Sequence, residues 1–184
     1  MLKRMPDTLT GKRDRALLLL GFAAALRRSE LVALNLADLE RTDGGVLIHI
    51  RRSKTDQEAH GHVVPIPRGG KLRVIEALDA WLAAAGIDDG FVFRPIRKGG
   101  SLQVTPLTDH AVARIIKRHA KAAKLDPDQF SGHSLRAGYV TEALANGADV
   151  LRVMDQTRHT SVQTLKGYDR RARAFKDHSG KGFL

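Results

Sequence analysis

Apolar residues recur at helical spacing along most of this chain, with one interruption. ALLLLGFAAAL, residues 16–26, is apolar on every side and predicts a buried helix over about residues 14–26. RRSELVAL follows at once, with Ser29 as the expected cap of a short second helix. The texture then changes. GVLIHIRR, from Gly45, and HVVPIP, from His62, are β-branched runs separated by SKTDQEAHG, and Gly44 stands just ahead of the first. They predict a small antiparallel sheet. Helical periodicity returns in KLRVIEALDAWLAAAG, with Gly86 as its stop, and FVFRP, from Phe91, reads as a short extended piece. Thr108 is the expected cap of DHAVARIIKRHAKAAKL, whose apolar face includes Val112, Ile115 and Ile116. After the loop DPDQFSGH come three short helical segments, LRAGYVTEALANG, DVLRVMDQT and SVQTLKGYDRRARAF.

The outline is an α+β fold, predominantly helical, with its small antiparallel sheet in the N-terminal half. There is no alternating β-α series, which argues against a doubly wound parallel sheet. With no internal repeat or long linker, residues 1–184 read as a single domain, long enough to bury a sizeable core.

Charge narrows the choice of partner. Lys and Arg number 31 against 20 Asp and Glu, a formal net charge of +11. Such an excess favours a polyanion, nucleic acid ahead of an anionic membrane. The absence of cysteine excludes disulfides, thiol catalysis and cysteine-based zinc sites, and suits a reducing cytoplasm. Residues 16–26 have the length of a signal-peptide core, but Asp7 and Asp14 precede them and RRSE follows without a turn. The stretch is too short to span a bilayer. No G-x-x-x-x-G-K-[ST] loop occurs, and His60 and His62 lack a third ligand at suitable spacing, so neither a nucleotide nor a metal is expected.

Several polar residues break the apolar patterns. Arg27 and Glu30 stand three apart and can face one another on a helical turn. Lys54 lies between the two predicted strands. His133 and Arg136 form HSLR at a helix start, where free backbone N–H groups favour an anion. His159 and Tyr168 lie near the end, and the second tyrosine, Tyr139, sits among Leu135, Val140 and Leu144. Taken singly, each reads as a cap, a surface charge or a packing residue.

Together and in this order they resemble the catalytic set of the tyrosine recombinases, the phage-integrase family. ALRRSELVAL resembles the family's first arginine segment, with Arg27 at the arginine and Glu30 at the accompanying acidic position. SKTD resembles its lysine turn, placing Lys54. HSLRAGYVTEALANG matches the histidine-x-x-arginine segment, placing His133 and Arg136. RHTSVQTLKGYDR matches the closing segment, placing His159 and the nucleophile Tyr168. The resemblance runs from about residue 10 to residue 175.

What it implies is a site-specific DNA recombinase that cleaves and rejoins strands through a 3′-phosphotyrosine. Arg27, Lys54, His133, Arg136, His159 and Tyr168 would be catalytic, with Glu30 in support. No cofactor or metal is implied. The partner is double-stranded DNA, on which family members assemble as a tetrameric synapse, and the setting is a bacterial or phage-encoded, nucleoid-associated protein of the cytoplasm. The residue types suit the chemistry. An anionic transition state calls for fixed cations, arginine offers paired N–H donors, and a tyrosine with an ordinary pKa of about 10 needs neighbouring cations to ionise near neutrality.

Two departures stand out. Arg158 occupies a position where the family often has glycine, which leaves the loop geometry open and allows an additional phosphate contact. Nothing corresponds to the family's N-terminal core-binding domain, so residues 1–184 read as a catalytic domain. The competing readings are a type IB topoisomerase, which shares the chemistry, and a DNA-binding module that keeps the residues without the reaction.

Overall fold

The computed structural model describes residues 1–51 and 61–165. The first long helix, α1 (Leu9–Ala23), opens at Thr8, whose hydroxyl accepts the Gly11 amide at 3.1 Å. It begins before the predicted residue 14 because this cap, rather than the apolar run, sets its start. It also ends before residue 26. Ala25 turns into the left-handed region at φ 48°, its amide donating to Phe22 O at 3.0 Å and that of Leu26 to Gly21 O at 3.2 Å. This is a Schellman ending with alanine where glycine is usual.

Helix α2 (Arg28–Ala33) follows immediately. Ser29 is not its cap. Arg27 holds that position, and the Glu30 carboxylate accepts the Arg27 amide at 2.8 Å, while Ser29 lies exposed inside the helix.

The sheet has three strands in antiparallel order, β1 (Leu39–Thr42), β2 (Gly45–Ile50) and β3 (His62–Pro67). The two predicted strands are present. The additional one, LERT, lacks an apolar alternation, and its signal is the Asp43–Gly44 pair that turns it back into β2. Val46 pairs with Ile66 and Ile48 with Val64, so one face is buried while Val63, Pro65 and Pro67 point outward.

Helix α3 (Val74–Ala85) stops at Gly86, which adopts φ 59° as predicted for a glycine stop. The FVFRP stretch supplies a bridge from Phe91 to Asn35 and buries Val92 and Phe93 completely. Helix α4 (Asp109–Ala122) is capped by the Thr108 hydroxyl and buries Val112, Ile115 and Ile116. A 3₁₀ turn, Pro127–Gln129, interrupts the expected loop before α5 (Ser134–Ala145). Asp149 then caps α6 (Val150–Thr157). The segment SVQTLKGYDRRARAF lies mostly outside the described residues, as does the C-terminal tail.

From Ala16 onward α1 is apolar all round, and it lies at the centre, packed on α3 and α5, while α2 packs on α4. The main core joins Leu17, Leu20, Ile48, Val64, Leu78, Trp81, Phe93 and Ile116. A smaller cluster, Val140, Leu144, Val153 and Leu165, ties α5 to α6. Among the described residues no helix is long and apolar enough to cross a membrane.

Candidate active site

The C-terminal end of α1 organises the site. Its last carbonyls have no partner within the helix and carry the negative end of the helix dipole, so cationic and amide donors are favoured there. Three side chains from later in the chain meet this need. Gln156 donates to Ala23 O at 3.0 Å, Arg158 approaches Ala24 O at 3.5 Å, and Arg136 donates to Ala25 O at 2.9 Å. The end of α6 and the start of α5 are thereby fixed on the turn that leads into Arg27.

Close packing brings the same parts together. Gly132, just ahead of α5, stands where a Cβ would come within 1.6 Å of Arg28 Cδ, so the starts of α2 and α5 approach closely. Arg136 begins a buried stripe of α5 that continues at helical spacing through Val140 and Leu144. The arginine thus sits where the stripe reaches the end of α1.

Glu30 links two of the cations. Its Oε1 accepts Arg27 Nη1 at 2.7 Å, and its Oε2 accepts Arg158 Nη2 at 2.6 Å as well as the Arg27 amide. Burial pushes the carboxyl upward, but Arg158 and then Arg27 oppose it, and the net result is a pKa below the ordinary glutamate value. The predicted pairing of Arg27 with Glu30 is present, and Glu30 has the supporting position expected of it. Arg158 differs from expectation. Its side chain is 1% exposed and directed at Glu30 and the α1 carbonyls, a placement for a structural cation rather than a phosphate contact.

His159 follows directly. Burial, then the charges of Arg136, Arg27 and Arg158, lower its imidazole to about 4, so it is neutral at ordinary pH. The charges of three arginines thus bear on one ring. The Thr157 hydroxyl lies 2.6 Å from Val153 O and 2.7 Å from His159 Nδ1. A carbonyl can only accept, so the single hydroxyl proton goes to Val153 and the ring nitrogen Nδ1 carries the proton of the second bond. In this neutral tautomer Nε2 is the unprotonated nitrogen. Nε2 becomes a donor only after gaining a proton.

His133 is the N-cap residue of α5, exposed and one turn ahead of Arg136. Tyr139 is half-buried, edge-on to Phe22 with ring centroids 6.0 Å apart, and burial raises its hydroxyl pKa. Lys54 and Tyr168 lie outside the described residues, as does His60 of the HGH pair. No group of three or more His, Cys, Asp or Glu placed to hold a metal occurs among the described residues. The roles of Ala25 and Thr157 were missed from sequence. For Arg158 a signal existed, since a residue standing in for glycine after a helix implies left-handed backbone, which it adopts at φ 56°.

Comparison with known proteins identifies the family and the fold. The phage integrase family profile matches residues 1–174. An integrase/recombinase xerD homolog of Selenomonas ruminantium is 43% identical over 175 residues, 94% of this chain and 51% of that protein. The recombinase cre of Escherichia phage P1 is 27% identical over 172 residues, 86% of this chain and 49% of that protein. The fold matches the XerH site-specific recombinase, in a post-cleavage complex with palindromic difH substrate, at TM-score 0.74 and 19% identity over 94% of this chain and 46% of that one. It matches the XerA recombinase at TM-score 0.67 and 20% identity over 86% of this chain and 52% of that one. The chain spans about half the length of the curated relatives it matches. With the arginine pair, the histidine and the family profile all falling on one chain, the protein belongs to the phage integrase family.

Proposed function

We propose that residues 1–184 form the catalytic domain of a site-specific DNA recombinase that breaks and rejoins strands through Tyr168. The observation that carries this reading is the convergence of Arg27, Arg136 and His159, from the α1–α2 turn, α5 and the end of α6: Arg136 is bonded to Ala25 O on the turn that leads into Arg27, and the charges of both arginines bear on the His159 ring. The Ala25 carbonyl holds Arg136 and Glu30 holds Arg27, which stays 19% exposed, so an incoming anion can be shared by the two guanidinium groups and the neighbouring histidine.

In the proposed reaction the Tyr168 oxygen attacks phosphorus while the bond to the 5′ oxygen breaks. Lys54 gives that oxygen its proton, leaving a free 5′-hydroxyl and a 3′-phosphotyrosine. Attack by the same or another 5′-hydroxyl reverses the step, so one phosphodiester replaces another and neither water nor ATP is consumed. Arg27 and Arg136 would hold the non-bridging oxygens, each through paired N–H donors. His133, exposed at the N-cap, would receive or orient the phenol proton. His159, neutral in the free protein, would take up a proton at Nε2 as the phosphate arrives and then donate to it. The acting form would be an assembly of four protomers on double-stranded DNA, in the cytoplasm.

The test is a library of nicked duplexes with randomised sequence around the nick, on which cleavage traps the protein covalently. A covalent adduct insensitive to EDTA and lost in Tyr168→Phe is the expected result. Salt-sensitive binding with no adduct from any duplex would overturn strand transfer in favour of a binding module.

A further inference from the structure

Helix α6 ends with an arginine in a conformation suited to glycine. Arg158 adopts φ 56° and ψ 45°, with its amide donating to Asp155 O at 3.2 Å and that of His159 to Met154 O at 3.1 Å. Those two bonds define a Schellman ending, in which a residue bearing a Cβ is strained. A second cost is added. The side chain is 1% exposed, and its Nε is buried without a hydrogen-bond partner among the described residues. A cation that is strained, desolvated and kept from solvent contributes little as a surface charge.

What it gains is Glu30. That carboxylate is 2% exposed and serves two guanidinium groups, Arg158 on Oε2 at 2.6 Å and Arg27 on Oε1 at 2.7 Å. The two carboxylate oxygens are thereby fixed from opposite partners, and Arg27, still 19% exposed, is held by an acceptor that cannot rotate away. Charge points the same way. Alone, Glu30 would neutralise Arg27. Shared with a second guanidinium, it leaves Arg27 with net positive potential toward an incoming anion.

We propose that Arg158 is a positioning residue for Arg27, acting through the Glu30 carboxylate that both arginines share. The inference deepens the proposed function, since it rests on Arg27 as a phosphate-holding group. Arg158 also donates to Gln156 O at 3.1 Å and lies 3.4 Å from Ala25 O, so the same side chain keeps the end of α6 against the turn that carries Arg27. Its effect on Arg27 is therefore both geometric and electrostatic.

The experiment uses Arg158→Gly and Arg158→Lys in the full chain. Glycine suits the backbone at this position, so folding is retained and thermal melting verifies it. In the DNA-free protein, exchange of the Arg27 amide, which donates to Glu30, is followed by NMR against the Leu20 amide as reference. Arg158→Gly is expected to accelerate Arg27 exchange about 10-fold while leaving Leu20 unchanged. Inorganic phosphate is then titrated while the Arg27 Nε–H resonance is observed. The glycine variant is expected to bind phosphate at least 5-fold more weakly, and lysine, which keeps the charge, to recover at least half of the loss. Wild-type exchange and wild-type phosphate affinity in Arg158→Gly would overturn the proposal. Failure of the underlying functional reading looks different: wild-type protein would show no phosphate-induced shift at Arg27, while its amide exchange still depended on Arg158.

Discussion

Arg136 donates from Nη1 to the carbonyl oxygen of Ala25 across 2.9 Å, joining residues 111 positions apart. The acceptor belongs to an alanine at φ 48°, and this left-handed turn directs the carbonyl at the arginine. Ala25→Val is therefore expected to destabilise the fold by about 1–2 kcal/mol, because a β-branched residue tolerates this region poorly. Ala25→Gly is expected to be neutral to mildly stabilising, because relief of about 1–2 kcal/mol of strain outweighs a glycine entropy cost of about 0.5–1 kcal/mol. Urea denaturation measures both. Misplacement of Arg136 in the valine variant should also slow adduct formation by about 10²-fold in single-turnover assays, and an unchanged rate would contradict the proposed role of the turn.

The depressed pKa of His159 sets an acid limit on stability. The ring titrates near 4 in the folded protein, below its ordinary 6.5, so the unfolded chain takes up this proton first as pH falls. Stability from this residue is complete above about 6.5 and declines as pH drops toward 4. Glu30, also depressed, adds its own loss only below the ordinary glutamate value of 4.5. Replacing His159 with Gln is expected to flatten the melting temperature between pH 6.5 and 4.5 while leaving the steeper fall below that range. A wild-type profile in His159→Gln would show that the ring is not buried beside the arginines.

Local signals were readable from sequence, and non-local ones were not. Helix α3 with Gly86 and helix α4 with Thr108 are defined by a period and a stop within a few residues of each other, and both occur as expected. Strand β1 does not show such a pattern, because LERT becomes a strand by pairing with β2 rather than through its own side chains. In the site, Arg27 and Glu30 were legible as neighbours three apart on a turn. The contact of Arg136 with Ala25 was not, since no sequence feature marks an alanine as left-handed. For Arg158 the sequence allowed a phosphate contact, because its charge is visible in sequence and its burial is not. The grouping of Arg27, Arg136 and His159 came from resemblance to a family; spacing alone would have left three unrelated cations.

Thr157 offers a separate test of the histidine. Its hydroxyl donates to Val153 O and accepts from His159 Nδ1, which fixes the neutral ring in the Nδ1–H form. Thr157→Val keeps the shape and removes the acceptor. The ¹⁵N shifts of the ring should then reveal a mixture of tautomers, with a stability loss of about 1 kcal/mol for the missing bonds. A single unchanged tautomer in the variant would mean that another group orients the ring.

Asp14 gives the contrasting case of a buried charge cluster outside the proposed site. It is fully buried in α1, accepts Arg13 Nη2 at 2.8 Å, faces His119 Nε2 at 2.8 Å and pairs with Arg118. These contacts join α1 to α4, about 14 Å along the helix from its last residue, Ala23, at 1.5 Å per residue. Asp14→Asn keeps the volume but removes the charge that compensates Arg13, itself only 7% exposed. Breaking a buried pair in this way costs about 3 kcal/mol, less than the full penalty for an isolated pair because Arg118 remains 55% exposed to solvent. Urea denaturation should register that loss. The folded fraction, assayed well below its melting temperature, should form the covalent adduct at the wild-type rate, because the end of α1 and its carbonyls are held from the other side by Gln156, Arg158 and Arg136. A rate that fell together with stability would mean that strain at Asp14 is transmitted along α1 to the arginines, and the site would then depend on the whole helix rather than on its last turn.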